Sequence, residues 1–400
     1  MKYSHKKWLP IVAVIGLGFG TWGCGSSDKA EQPDATEEMS ADTAANTAPD
    51  TAAPVDGVSI SKASIEKLSS LPTTIGITEP IKGDIPSGKK LVYIPINVPS
   101  ATELIQFLKE GATELGWTAE MVSGGLTPED MKAAFAQVLK AKPDAVFTAG
   151  IPSVVITEEL DGFKAAGIPV VFLGTGPADI EKTNPAVLAN IYAHSPQNVS
   201  GTYMADWVIA DSEGAANIVY YDFTAVETVA AVGVGFASKV SENCPKCTIK
   251  NIDVAGGDIG TALPGQIVSY LRANPDTKYV ALSISDMAIG VPGALADAGI
   301  TPEQVRIVEA NPGPGNRVNI AAGNYEVAAV SFPKQENMWR VLDILARHFA
   351  GEDIAPSTTA PYPYFMFTQD NVTNWGGEPK AEWSIVADYK TQYRALWGKG

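Results

Sequence analysis

The chain has 400 residues, with 45 Asp and Glu against 29 Lys and Arg, and a formal net charge of −16. This charge argues against a nucleic-acid partner, because phosphate backbones need a basic protein face. Only three His and three Cys are present, so we expect no metal site and no cofactor. A hydrophobic fraction of 45% excludes wholesale disorder, and the length predicts two or three domains.

Residues 1–23 have the pattern of a secretory signal. A basic start is followed by an apolar run over 9–19 and then by Gly23-Cys24. The apolar run is shorter than the roughly 20 residues of a membrane span. A Cys directly after a small residue resembles a bacterial lipobox, which implies a lipoprotein signal peptide and lipidation of Cys24. The alternative is an ordinary signal peptide that ends near a Cys.

Residues 24–57 are predicted to form a disordered acidic tether. They are rich in Ser, Ala, Thr, Pro and acidic residues and contain no aromatic side chain. Such a segment buries too little apolar area to offset the entropy of ordering. A lipid anchor followed by this tether would place the folded part at the outer face of the cell membrane, or in the periplasm.

Short apolar segments alternate with amphipathic ones from residue 89 onward. In the first half we predict strands over 91–96, 118–122, 144–148 and 168–173, and helices over 101–115, from 128, and over 153–166. The second half repeats the alternation, with strands over 217–221, 248–254, 279–284 and 305–309, and helices over 197–210, 226–240, 260–273 and 288–298. This pattern predicts an α/β fold of two Rossmann-like lobes with parallel sheets. Ligands in such folds bind beyond the carboxyl ends of the strands, here in the cleft between the lobes.

Several segments resemble a known family. They are AAGIPVVFLG at 165–174, SDMAIGVPGALADAG at 285–299, AAGNYEVAAVSFPKQENMWRVLDILARHFAGEDIAP at 321–356 and YKTQYRALWG at 389–398. In this order they resemble the type I periplasmic binding proteins of ABC importers, most of all the ribose-like, sugar-binding branch. The resemblance spans about residues 89–398.

The resemblance implies two lobes joined by three crossover segments, near His194, Phe332 and Ala360, which close around a small molecule. It assigns residues 58–193 and about 333–359 to an N-terminal lobe. Residues 194–332 and about 360–400 then form a C-terminal lobe. We expect a monomer that is not an enzyme.

The resemblance also implies which positions contact the ligand. The sugar-binding pattern is kept at Asn97 and Asp286. Its other polar or charged anchors are replaced by small, apolar or neutral residues, for example by Val232 and Phe332. The predicted ligand-binding residues are Asn97, Ser100, Gly150, Ile151, Thr175, His194, Tyr221, Phe223, Val232, Ser285, Asp286, Asn311 and Phe332.

Few charges and several aromatic residues, among them Tyr220 and Tyr221, suit a neutral, partly apolar or aromatic ligand better than a free sugar. The predicted function is therefore a solute-binding lipoprotein that delivers such a ligand to an ABC permease. A carbohydrate receptor and a sensory receptor for a signalling partner are the alternatives. Val232 and Phe332 can also be core residues, Asp286 a helix cap, and His194 a hinge residue.

Cys244 and Cys247 are separated by only two residues, in the segment Cys-Pro-Lys-Cys. A zinc site would need two further ligands that the chain cannot readily supply. In an exported protein this spacing predicts a short structural disulfide.

Overall fold

The computed structural model describes residues 56–175, 180–192, 194–373, 378–381 and 383–400. Two sheets organise this part of the chain. The first has five parallel strands in the order β2-β1-β3-β4-β5, and the second has six in the order β11-β10-β9-β8-β6-β7, in which only β11 is antiparallel. The strands are β1 Lys90–Pro95, β2 Thr118–Met121, β3 Ala145–Ala149, β4 Val170–Leu173, β5 Val187–Ile191, β6 Asn217–Asp222, β7 Thr248–Asp253, β8 Tyr279–Leu282, β9 Arg306–Ala310, β10 Glu326–Val330 and β11 Met366–Thr368.

Helices cover both sheets, as the alternating pattern predicted. The helices are α1 Gly57–Leu68, α2 Pro99–Thr102, α3 Ile105–Glu114, α4 Pro128–Ala141, α5 Thr157–Ala166, α6 Ile180–Thr183, α7 His194–Asp211, α8 Glu227–Asn243, α9 Leu263–Ala273, α10 Val291–Asp297, α11 Pro314–Ala322, α12 Lys334–Ala350, α13 Ala355–Thr359 and α14 Tyr389–Leu396. Short 3₁₀ turns occupy Ser153–Ile156, Gly256–Asp258 and Ser285–Ala288. The two-lobed α/β fold is confirmed.

Local sequence explains where the elements begin and end. The Oγ1 of Thr127 accepts a hydrogen bond from the backbone N of Asp130 (3.2 Å), and Pro128 occupies the first turn of α4. The predicted helix over 101–115 is divided into α2 and α3. Strands β5, β10 and β11 were not predicted.

The chain passes between the sheets where the resemblance placed the crossovers. It leaves the first sheet after β5, returns to α12 after β10, and enters the second sheet again through 360–365. Aromatic residues of all three passages pack together. The ring of Tyr192 lies 4.8 Å from that of Phe332 and 5.0 Å from that of Tyr362, between centroids. This cluster ties the crossovers to each other.

Both ends of the described chain depart from the predicted division into lobes. Helix α1 packs against α7 of the second lobe, where Ser61 Oγ donates to Asp206 Oδ1 (2.8 Å). Residues 385–397, expected in the second lobe, instead pack around Trp339 of α12 in the core that includes the first sheet. Trp397 stacks on Trp339 with ring centroids 5.2 Å apart. Contacts between segments so far apart in sequence produce no local hydrophobic periodicity. The sequence alone could therefore not assign α1 or residues 385–397 to a lobe.

Helix α12 carries buried charged residues that hold these segments. Arg340 is 2% exposed and donates to the carbonyls of Ile75, Ala360 and Pro361, each 3.0–3.1 Å away. Asp343 is fully buried and accepts from Trp397 Nε1 at 2.8 Å. The segment after α1, the third crossover and the C-terminal helix therefore meet on α12.

Cys244 and Cys247 form a disulfide at the end of α8, with their Cα atoms 5.3 Å apart. Within the described ranges no helix is both long and apolar enough for a membrane crossing. The predicted signal, Cys24 and nearly all of the predicted tether lie outside the described residues.

Candidate functional site

A cavity lies between the carboxyl edges of the two sheets. Its volume is about 80 Å³. A single water needs about 10–15 Å³ on this measure, so the space suits one small molecule. The lining comes from both lobes and from the second crossover, and comprises Ile96, Val98, Ser100, Ala101, Leu104, Ala149, Gly150, Leu173, Gly174, Gln197, Phe223, Val226, Thr228, Val229, Ile284, Asn311 and Phe332.

Most of the cavity wall is apolar. The first lobe contributes Val98 and Leu104, and α8 together with the segment before it contributes Val226 and Val229. Of the described residues that line the cavity, none carries a charge. A neutral molecule with an apolar body suits this wall, because an ion would lose its hydration without gaining a counter-charge.

Two buried amides provide polar groups in the lining. Gln197, in the first turn of α7, is 6% exposed, and its Oε1 has no hydrogen-bond partner among the described residues. Asn311, directly after β9, has a left-handed backbone (φ 63°) that Asn tolerates better than most residues. Its buried Oδ1 also lacks a partner. Both oxygens can accept a hydrogen bond from a ligand.

Asp286 lies at the edge of the site and joins the lobes. It is 7% exposed, and Ser100 of α2 lies close enough to act on its carboxyl. Burial raises the pKa of the Asp286 carboxyl, while the Ser100 hydrogen bonds and the charge of Lys334 act in the opposite direction. Lys334 itself forms an ion pair with Glu103. These polar contacts connect first-lobe residues to the second lobe and to the start of α12.

A carboxyl pair lies beneath the second-lobe side of the site. Glu309 is fully buried in β9, and burial together with the charge of Glu326 raises its pKa well above the usual range. Asn316 Nδ2 donates to Glu326 Oε2 (2.9 Å), and Asn319 Nδ2 donates to Glu326 Oε1 (2.7 Å). Burial also raises the pKa of the Glu326 carboxyl, while these donors act in the opposite direction. Asn316 Nδ2 lies farther from Glu309 Oε2 (3.3 Å), so we place the proton that the pair shares on Glu309.

The pair is connected to the cavity through the backbone. Asn316 Nδ2 also lies 3.4 Å from the carbonyl oxygen of Ser285, and Ser285 Oγ donates to the carbonyl of Asn311 (2.6 Å). Glu309 and Glu326 are therefore linked through Asn316 and Ser285 to Asn311 in the cavity lining.

Replacing Glu309 with Gln should stabilise the protein increasingly as the pH rises. Because the folded pKa of Glu309 lies above its reference value of 4.5, folding takes up a proton, and the free energy of unfolding falls as the pH rises above that value. Gln has a similar size and no carboxyl that titrates. Urea unfolding at pH 5 and pH 8 should show a difference between variant and wild type that grows by up to about 1.4 kcal/mol per pH unit.

The exposed Glu120→Gln on β2 provides the control and should show no such trend. Equal destabilisation by Glu309→Gln at both pH values would contradict a proton on Glu309.

Of the ligand-binding residues predicted from sequence, five line the cavity. They are Ser100, Gly150, Phe223, Asn311 and Phe332. Ser285 and Asp286 lie just behind the lining, in the 3₁₀ turn after β8, where Ser285 contacts Asn311 and Asp286 contacts Ser100. Phe332 was predicted either to contact the ligand or to belong to the core. In the structure it lines the cavity, and its ring also packs on that of Tyr192.

The remaining predicted residues are not in the lining. Asn97 is exposed, while Ile151 and Tyr221 are buried in the apolar core. Thr175 is 1% exposed, and its Oγ1 has no partner. The backbone of His194 begins α7, and its side chain is outside the described part of the structure.

Val232 does not line this cavity and takes the core position that was its alternative. Val232 is fully buried between α8 and α7, in a core that also holds Tyr220 and Phe236. The helices approach so closely there that a Cβ on Gly201 would lie 1.9 Å from the Val232 carbonyl oxygen. The cavity-facing residues of α8, Thr228 and Val229, lie about one turn nearer its N-terminus.

The lining residues that the sequence did not predict include four near the starts of α7 and α8, namely Gln197, Val226, Thr228 and Val229. A usable signal was present, because both α7 and α8 begin near the carboxyl edges of the sheets, where α/β folds bind ligands. The position of a residue in the first turn of a helix that follows a strand therefore indicates that it can line the cavity.

Comparisons with known proteins agree with this architecture. Residues 96–353 match the family described as "Periplasmic binding protein domain". An ABC sugar transporter subunit from Rhodobacter sphaeroides 2.4.1 is similar with a TM-score of 0.62 and 20% identity, over 71% of this chain and 99% of its own. An ABC transporter solute-binding protein from Agrobacterium vitis with bound allitol is similar with a TM-score of 0.61 and 18% identity, over 72% of this chain and 98% of its own.

A periplasmic solute-binding protein from Actinobacillus succinogenes 130z with bound D-allose gives a TM-score of 0.62 and 15% identity, over 72% of this chain and 100% of its own. At these identities the likeness shows the fold. No curated protein matches the chain.

Proposed function

The chain belongs to the periplasmic binding protein family, and we propose that it captures a small neutral, partly apolar ligand between its lobes and delivers it to an ABC permease. The observation that carries the proposal is the interlobe cavity, whose described lining combines apolar side chains with neutral polar groups. Binding without catalysis suits such a wall, and we assign no reaction to the site.

Lobe closure explains how a ligand changes the protein. A ligand that contacts both Leu104 of the first lobe and Val229 of the second binds the closed form better than the open one. That differential affinity shifts the population toward closure. The closed pair of lobes is the form that we propose the permease recognises.

Sugar binding is the second candidate. The similar structures named above include proteins with bound allitol and bound D-allose. Against it, a sugar offers hydroxyls on every side, whereas this cavity meets most of them with apolar side chains.

We further propose that the protein is exported and held at the outer face of the cell membrane by a lipid on Cys24, as a monomer. Support comes from the sequence pattern of residues 1–24 and from the acidic segment that follows. Cys24→Ser should move the protein from the membrane fraction to the soluble fraction, and unchanged membrane retention would contradict the anchor.

A thermal-shift screen of the mature chain tests the ligand class. One panel holds sugars and polyols, and the other holds neutral aromatic and alicyclic compounds. A ligand at 100 times its dissociation constant stabilises by about 2.7 kcal/mol, which is readily measured. Stabilisation by the second panel supports the proposal. Stabilisation by sugars alone would establish the second candidate instead, and no stabilisation by either would contradict both.

A further inference from the structure

We infer that Gln197 determines specificity in the cavity by accepting a hydrogen bond from an O–H or N–H group on the ligand. The inference rests on the proposed function and adds a requirement to it. The ligand carries an apolar body and at least one donor hydrogen, as a neutral alcohol or amide does.

The position of Gln197 supports this role. Among the described side chains of α7, Gln197 is the one that lines the cavity, and only 6% of its surface is exposed. A buried amide oxygen normally has a protein partner, because leaving it unpaired is costly. Gln197 Oε1 has none in the described structure. A ligand in the cavity can therefore supply the hydrogen-bond donor that Gln197 Oε1 lacks.

Two other polar side chains of the lining, Ser100 and Asn311, are placed differently. Ser100 lies close enough to Asp286 to lower the pKa of that carboxyl. Asn311 offers a second free acceptor, but its backbone is also held through Ser285. Substitution of Gln197 removes a free acceptor from the lining without disturbing the contact of Ser100 with Asp286 or that of Asn311 with Ser285.

Two matched pairs of compounds test the inference by calorimetry on the mature chain. They are cyclohexanol with methoxycyclohexane, and benzyl alcohol with benzyl methyl ether. Wild type should bind at least one alcohol about tenfold or more tightly than its ether, since an ether leaves Oε1 unpaired. Gln197→Leu should remove this preference, and the exposed Gln137→Leu on α4 should keep it. Equal affinity of wild type for alcohol and ether, or an unchanged preference in Gln197→Leu, would overturn the inference.

The melting temperature of the ligand-free protein gives a second readout that needs no ligand. If Gln197 faces the cavity unpaired, Gln197→Leu should melt at the wild-type temperature or above it. A lower melting temperature would show that Gln197 supports the fold, and it would overturn the inference. The thermal-shift screen tests the proposed ligand class separately, and this melting result tests the placement of Gln197 whether or not the four compounds bind.

Discussion

Replacing Asp343 with Ala is expected to lower the free energy of unfolding by about 3–5 kcal/mol. Asp343 is fully buried in α12 and accepts hydrogen bonds from Arg347 Nε (2.9 Å), Trp397 Nε1 (2.8 Å) and Ser357 Oγ. Without the carboxylate, the charge of Arg347 remains buried with no counter-ion. Such an uncompensated charge is among the most destabilising changes that a single substitution makes.

Urea unfolding followed by near-ultraviolet circular dichroism measures this effect and also reports on the tail. Trp397 stacks on Trp339, so the loss of its hydrogen bond should change the tryptophan signal of the native protein. The exposed Asp161→Ala on α5 is the matched control and should stay within about 0.5 kcal/mol of wild type. A loss of under about 1 kcal/mol for Asp343→Ala would contradict the role of α12 as the meeting point of the terminal segments.

Replacing Val229 with Trp is expected to weaken ligand binding by about a hundredfold or more. Val229 lies in the first turn of α8 with its side chain on the cavity, whose volume of about 80 Å³ a larger ring would occupy. Ligand and indole cannot share the space, and the lobes cannot then close over both. The stability cost should stay within about 1–3 kcal/mol, which leaves the protein folded.

Val234→Trp is the control for this variant, because Val234 lies on the same helix with 56% of its surface exposed. Its affinity should equal that of wild type. The compound from the thermal-shift screen that most stabilises the wild-type protein serves as the probe for all three proteins.

The sheets could be predicted because their strands are short apolar runs separated by amphipathic helices. Strand β3, for example, is buried at every position, and all of its residues except Thr148 are apolar. The docking of α1 on α7 and of residues 385–397 on α12 could not be predicted. Each depends on contacts between segments far apart in sequence, such as that between Asp343 and Trp397, 54 residues apart.

The site was predicted in part, for a related reason. Phe223 and Asn311 follow strands directly, so the rule that ligands bind beyond the carboxyl ends of strands finds them. Val232 was named because the resemblance aligned it with an anchor of the sugar-binding pattern, whereas the structure packs it in the core beside α7 and places Thr228 and Val229 in the cavity lining. For Gln197 the sequence signal is limited to its place near the start of a helix. Its significance comes from being buried without a partner, which only the structure reveals.

Isothermal titration of wild type, Val229→Trp and Val234→Trp with that compound tests the central claim most directly, because it asks whether binding takes place in the cavity between the lobes. We expect saturable binding of one ligand per chain to wild type and to Val234→Trp, and no measurable binding to folded Val229→Trp. Equal affinity for all three proteins would contradict the claim and would place the ligand elsewhere on the chain.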